Sequence, residues 1–393
     1  MSDLATPAVA WHTRHRFLLS FALLSLFMGI SVGLAKVTTS LYAIHLGASG
    51  WWLGAIAAAQ SVGILLTALP LGHWVDRFGP RRLFMTGSLA GGLLYALLPL
   101  VPSSGFLLAM TALTGVVMPT RFVSLQMIFM SMLNQIGVTH AGWQRAAHMS
   151  GMLLLGPLIT AFVIDQVGHA GSYWVVALMF LLTIELSQSV LRQPLPSSAT
   201  PPLPAGLRAG LVGLLNHAEA RWLAATEAGI QALNMYHAFF IVVIAVQQLH
   251  IPAGAAGSLV AIQGAAFIIA LLCLGTGVQR LGARAMPTGV VLVSAACLLL
   301  RQACDMAGLI GGSALLGLGL GVMDIQVIER MAALGSRLGM GRMASLNAIA
   351  GPGGALLGGV LGGSLEPWLG LQNGFLVFAP LFLLHMLPRA RPP

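Results

Sequence analysis

Between Phe17 and Leu387 one apolar run of about 20 residues follows another with almost no polar sequence between them. At 1.5 Å per residue, each run is long enough as a helix to cross roughly 30 Å of hydrocarbon. Charged residues are 7% of the 393 and hydrophobic residues 57%, whereas a soluble domain carries about 25% charged residues. A water-soluble fold is excluded, and the chain reads as an all-α membrane protein.

The formal charge of +9 would point to nucleic acid in a soluble protein. Here the positions of the cations matter more than their sum. With the N-terminus placed inside, inward loops collect Arg14, Arg16, Arg77, Arg81, Arg82, Arg145, Arg192, Arg208, Arg221, Arg280, Arg284, Arg330, Arg337, Arg342, Arg389 and Arg391. The outward loops near 45–51, 102–104, 167–171, 248–253 and 365–370 have none. This positive-inside bias predicts both termini in the cytoplasm, in a bilayer of the bacterial inner-membrane kind, and removes nucleic acid as a partner. The run after the basic stretch His12 to Arg16 is too long for a signal peptide and reads as an uncleaved first helix. Cys273, Cys297 and Cys304 have no paired spacing, so neither a disulfide framework nor a metal motif is indicated.

Runs bounded by Gly, Pro and charge predict twelve helices, at 17–44, 51–71, 83–101, 105–132, 148–166, 171–190, 222–247, 254–276, 286–304, 307–330, 343–364 and 371–388. Residues 1–190 form an N-terminal six-helix bundle and 222–393 a C-terminal one. The linker between them, 191–221, opens on a proline-rich stretch that must be extended. Its second part, Leu207 to Arg221, suits a short interfacial helix. An internal repeat supports the division: Gly72, Val75, Arg77, Gly79 and Arg81 recur 203 positions later as Gly275, Val278, Arg280, Gly282 and Arg284. The same offset carries Arg121 onto Asp324.

The segment Gly72 to Arg82, G-x-x-x-D-R-x-G-x-R-R, resembles the signature loop of the major facilitator superfamily. With the twelve helices and the degenerate second copy, the resemblance covers essentially the whole chain. It implies two pseudo-symmetric six-helix bundles rocking about a central site lined by the first, fourth, seventh and tenth helices. It also implies a gating role for Gly72, Asp76, Arg77, Gly79 and Arg81 at the cytoplasmic side. Gly72 and Gly79 would permit a tight turn, and the acid could meet a helix end or a guanidinium. The second copy has Gln279 where the acid should be, so its latch is expected to be weaker or uncharged. Gly156-Pro157 only loosely resembles the family's antiporter motif and lacks its paired glycines, so export by antiport is not secured.

An ionisable group at bilayer depth costs roughly 2.5–3.5 kcal/mol and marks a functional path or a paired structural site. Lys36, Arg121, Glu227 and Asp324 lie inside predicted helices 1, 4, 7 and 10. Residues three and four apart share a helix face. Stripes follow: Gly29, Gly33, Lys36, Ser40; Thr114, Met118, Arg121; Glu227, Gln231, Asn234, His237; Gln60, Gly63, Thr67; and Asn347, Gly351, Gly354, Gly358. Candidate substrate-binding residues are Lys36, Arg121, Gln60, Asn234, His237 and Asn347, with the two cations holding an anionic solute. Asp324 and Glu227 are the candidate proton carriers, with His237 a further one, because a carboxylate or imidazole can titrate in the working range. Arg121 and Asp324 pairing across the bundles is the competing structural reading.

The expected activity is secondary transport of a small organic, anionic solute by alternating access, coupled to protons, in a monomer that needs no cofactor. Import of a siderophore-like metal chelate and multidrug efflux are the alternatives, and a non-transporting membrane sensor is a remote one. Neither a phosphate loop nor an H-E-x-x-H pair is present, so pump and membrane-enzyme classes fall away. Met127, Met130, Met132, His148, Met152, Met235 and His237 invite a metal reading, but methionine is a common core filler.

Overall fold

In a computed structural model, which describes residues 11–68, 71–136, 147–191, 216–338 and 340–384, helix is the only regular structure among the described residues. The helices are α1 (Trp11–His45), α2 (Gly50–Ala68), α3 (Leu71–Phe78), α4 (Pro80–Leu97), α5 (Ser104–Ile136), α6 (Gly156–Leu191), α7 (Ala218–Val243), α8 (Ala253–Cys273), α9 (Gly275–Leu281), α10 (Ala285–Gln302), α11 (Met306–Leu338), α12 (Met340–Leu369) and α13 (Phe375–Leu384). A π-helical turn, Ser150–Leu155, leads into α6, and a second, Ile244–Gln248, ends α7. The extended linker and most of the interfacial helix predicted at 207–221 lie outside the described residues. So do Arg145, Arg192, Arg208, Arg389 and Arg391.

Among the described residues nine helices are long and apolar enough to cross a membrane. The longest of these spans, Ala147–Gln188, bends back at Gly168, whose φ of 69° and ψ of −177° no helix contains. Large apolar side chains point outward along the spans, among them Leu19, Leu66, Leu89, Leu93, Phe162, Leu178 and Leu272. Such a surface is tolerable only against lipid. Trp51, Trp174 and Trp368, all more than half exposed, sit at the arginine-poor end, where indole suits the interface.

The turns repeat more strictly than the sequence does. Gly47, Gly79 and Gly168 have positive φ in the first half; His250, Gly282 and Gly370 have it in the second. The first two pairs are 203 positions apart and the third 202. Only left-handed backbone reverses the chain at these points without lengthening the loop, and glycine adopts it at no steric cost. Gly72, expected to share the tight turn between α3 and α4, lies instead inside α3, and Gly79 alone makes the turn, with Pro80 opening α4.

Small residues let helices approach to backbone contact. A Cβ on Gly63 or Gly115 would strike the backbone across the α2–α5 crossing, and one on Gly354 or Gly358 would strike Ala228 or Ala232 of α7. Along α1, Gly29 and Gly33 meet the backbone of His148 and Met152, drawn in by the π-helical turn. At the arginine-poor end α2 packs against α12 in the same way: Gly54 lies on Gly363, Ala58 on Gly359, and the Glu366 carboxylate against Gly50. Nearby, the Ser40 hydroxyl donates to the Phe239 carbonyl at 2.9 Å, tying α1 to α7.

Candidate functional site

Two cavities lie side by side in the middle of the helices, of about 470 Å³ and about 440 Å³. Both volumes include space open to solvent as well as enclosed space. The first is walled by α1, α2, α4, α5 and α7 through Lys36, Thr39, Ile56, Gln60, Tyr95, Thr111 and Phe239. The second lies among α1, the π-helical turn, α6, α7, α8 and α12, with Lys36, Gln231, Asn234, Met152, Pro157 and Val260 in its wall. Lys36, Met235 and Ala238 belong to both walls and form the partition.

Among the described residues Lys36 is the one charged residue lining either cavity, and none of them hydrogen-bonds or ion-pairs with it. A lysine held at bilayer depth with no acidic partner is an electrostatic vacancy for an anion. Gln60, predicted from its stripe, faces the first cavity and has no protein hydrogen-bond partner among the described residues.

The polar groups of the second cavity are partly committed. Gln231 Nε2 donates to Glu227 Oε1 at 3.0 Å, which leaves the Gln231 carbonyl oxygen as an acceptor. Asn234 Oδ1 accepts from Gln263 Nε2 at 3.2 Å, which leaves the Asn234 amide hydrogens as donors. One acceptor and one donor therefore stand one helical turn apart on α7.

Arg121 is elsewhere. It is fully buried, with Nε donating to Ser88 Oγ at 3.0 Å, NH2 to Thr183 Oγ1 at 2.8 Å, and its guanidinium 3.8 Å from the Phe180 ring centroid. Phe84 at 5.9 Å and the Met118 sulfur complete its surroundings. It lines neither cavity, and no carboxylate of the described residues pairs with it, Asp324 included. Hydroxyl oxygens that accept its N–H groups, together with aromatic faces, solvate the guanidinium in place of a counter-ion.

The remaining candidates are distributed around the cavities. His237 is buried on α7, its Nε2 2.9 Å from Ser313 Oγ of α11 and its Nδ1 without a partner. Asn347 on α12 has an unpartnered buried Oδ1. Neither lines a cavity. Glu227 and Asp324 are buried on α7 and α11, outside both walls. Glu227 is linked to the second cavity through Gln231.

Of the gating candidates, Arg77 and Arg81 are exposed, with Arg77 over the ring of Phe78 at 5.5 Å. The side chains of Gly72 and Asp76 lie outside the described residues, as do those of Met130 and Met132. In the second copy Gln279 Nε2 donates to Glu329 Oε1 at 3.3 Å, so the neutral residue at the acid's position still holds a carboxylate of α11. Arg301 and Asp305, four positions apart, each find another partner: Arg301 donates to Asn373 at 3.0 Å, and Asp305 caps Gly308 at 2.8 Å. The four-residue spacing straddles the break between α10 and α11, so the two do not share a helix face.

Among the described residues no three His, Cys, Asp or Glu come together to hold a metal. Sequence reasoning missed Tyr95, Thr39 and Thr111 in the first wall, and Met152 was seen only as a possible ligand. Tyr95 carried a signal, since a buried tyrosine in an apolar run needs somewhere for its hydroxyl.

The family model described as Major Facilitator Superfamily matches residues 17–227. Among solved structures, the nucleoside transporter NupG superposes with a TM-score of 0.79 at 13% identity, covering 94% of this chain and 97% of its own. A point variant of that protein gives 0.78 at 14%. A POT family transporter in complex with a thioalcohol-conjugated peptide gives 0.75 at 12%, with 94% of each chain covered. At such identities the likeness shows the fold alone. No curated protein matches the sequence.

Proposed function

Because the chain belongs to the major facilitator superfamily, we propose that it is a secondary active transporter that moves a small organic, anionic solute across the bacterial inner membrane by alternating access, coupled to protons. In this reading the twelve predicted helices form two six-helix bundles over 1–190 and 222–393, with both termini cytoplasmic. The matched pairs of left-handed turns support two bundles of common design. The bend at Gly168 divides one long span into two membrane crossings.

The observation that carries the anionic solute is Lys36, a cation with no acidic partner among the described residues, on the wall shared by two cavities. In this reading the arginine-poor end is the outer one, and the close seam of α2 on α12 and the Ser40–Phe239 contact at that end support an outward-closed state. Arg121, Asn347 and His237 support the cavities from behind their walls. Glu227 and Asp324 are the carboxylates available to carry the proton, Glu227 being linked to the solute site through Gln231.

The test is flux into liposomes of purified protein under an imposed pH gradient, screened across organic anions and neutral analogues. Lys36→Ala is expected to abolish anion flux, and near-normal transport by that variant would overturn the assignment.

A further inference from the structure

We infer that the solute is a branched monoanion whose carboxylate sits on a central carbon, with an apolar, aromatic-type arm in one cavity and a secondary-amide arm in the other. This rests on the anion-transport reading above and deepens it.

The charge count comes from the walls. Among the described residues Lys36 is the sole charged residue in either wall, and Arg121 is committed to Ser88, Thr183 and Phe180. A single cation in a low-dielectric site neutralises one negative charge; a second would be left buried without a partner, at a cost of several kcal/mol. The position of the charge comes from the partition. Because Lys36 belongs to both walls, the group it binds stands between the cavities rather than at the far end of one. A carboxylate at the end of a linear solute would leave one cavity empty. One on a branching carbon allows both to be filled.

The chemistry of the arms comes from the remaining wall residues. The first cavity is bounded mainly by Ala35, Ile56, Ala57, Tyr95, Met235 and Phe239, with Thr39, Thr111 and Gln60 as the neutral polar groups among them, and suits a largely apolar or aromatic arm. In the second, Gln231 offers an acceptor and Asn234 a donor, because their other amide atoms are held by Glu227 and Gln263. A secondary amide supplies the matching N–H and C=O. An arm lacking those groups would cover both protein atoms without pairing them.

N-acetyl-L-phenylalanine has this architecture and serves as the probe. Its binding to the purified transporter, measured by calorimetry, is compared with N-acetylglycine, 3-phenylpropanoate and N-acetyl-L-phenylalaninamide, which lack the aromatic arm, the amide arm and the charge respectively. The two-armed anion is expected to bind about tenfold more tightly than either one-armed anion, which corresponds to roughly 1.4 kcal/mol. Lys36→Gln should remove its advantage over the uncharged amide. Asn234→Ala should remove its advantage over 3-phenylpropanoate.

One-armed and two-armed anions binding within threefold of each other, in a Lys36-dependent manner, would overturn the branched shape and keep the anion reading. Failure of every anion to bind in a Lys36-dependent manner would overturn both. The ligand series on the unmodified protein decides the shape even where a variant fails to fold.

Discussion

Lys36 and Arg121 look alike in the sequence, each a lone cation in an apolar run, and the structure separates them. The partners of Arg121 are Ser88 and Thr183, 33 and 62 positions away. No local pattern announces contacts of that range, which is why sequence reasoning treated both cations as ligands for the solute. The geometry makes Arg121 a joint between α4, α5 and α6, built on a planar fork that bonds two hydroxyls while lying on a ring. Arg121→Lys keeps the charge but cannot reproduce the fork. It is expected to cost about 2 kcal/mol through a lost hydrogen bond and the weakened ring contact. Thermal unfolding in detergent should show a lower midpoint, and an unchanged midpoint would rule out the joint. The polar stripe of α7 was legible, since Gln231 and Asn234 fall on the cavity at helical spacing. Its last member, His237, was misjudged because the helix has turned by then toward Ser313.

At the scale of elements, hydropathy disclosed the membrane helices because lipid tolerates so little else, and the repeated Gly79 and Gly282 exposed the turns. The π-helical turn Ser150–Leu155 left no such trace. It appears only when α1, with Gly29 and Gly33, packs against that segment. Gly79 and Gly282 hold backbone angles that an L side chain rarely adopts, yet a Cβ there would meet nothing within 4 Å. Gly79→Ala and Gly282→Ala therefore test the backbone alone and should each destabilise by about 1–3 kcal/mol. Equal thermal midpoints for variants and parent would show these turns to be free of strain. Gly54 is the opposite case, with ordinary helical backbone and no room. Gly54→Val should wedge α2 from α12 and raise the outside labelling of an introduced Gln60→Cys by a membrane-impermeant maleimide. Labelling at the parental level would mean that the seam does not close the outer path.

For the whole molecule, the repeat preserves geometry and redistributes charge. Arg121 stands where the second half has Asp324, and Asp76 where it has Gln279. The first half thus supplies the cation on the cavity walls, while Glu227 and Asp324 are buried in the second. This division predicts that proton dependence and anion recognition can be severed by substitution. Asp324→Asn or Glu227→Gln should flatten the response of flux to an imposed pH gradient while leaving Lys36-dependent binding in place; unaltered proton dependence in both variants would remove the coupling proposal.

The outer closure also has a thermodynamic character of its own. Apart from Glu366, the contacts between Gly50, Gly54 and Ala58 on one side and Gly359 and Gly363 on the other are backbone against backbone. Dispersion between neutral surfaces is almost indifferent to dissolved salt, in contrast to ion pairs, which weaken as counter-ions accumulate. A cell moving between dilute and briny surroundings would find this door equally firm in both.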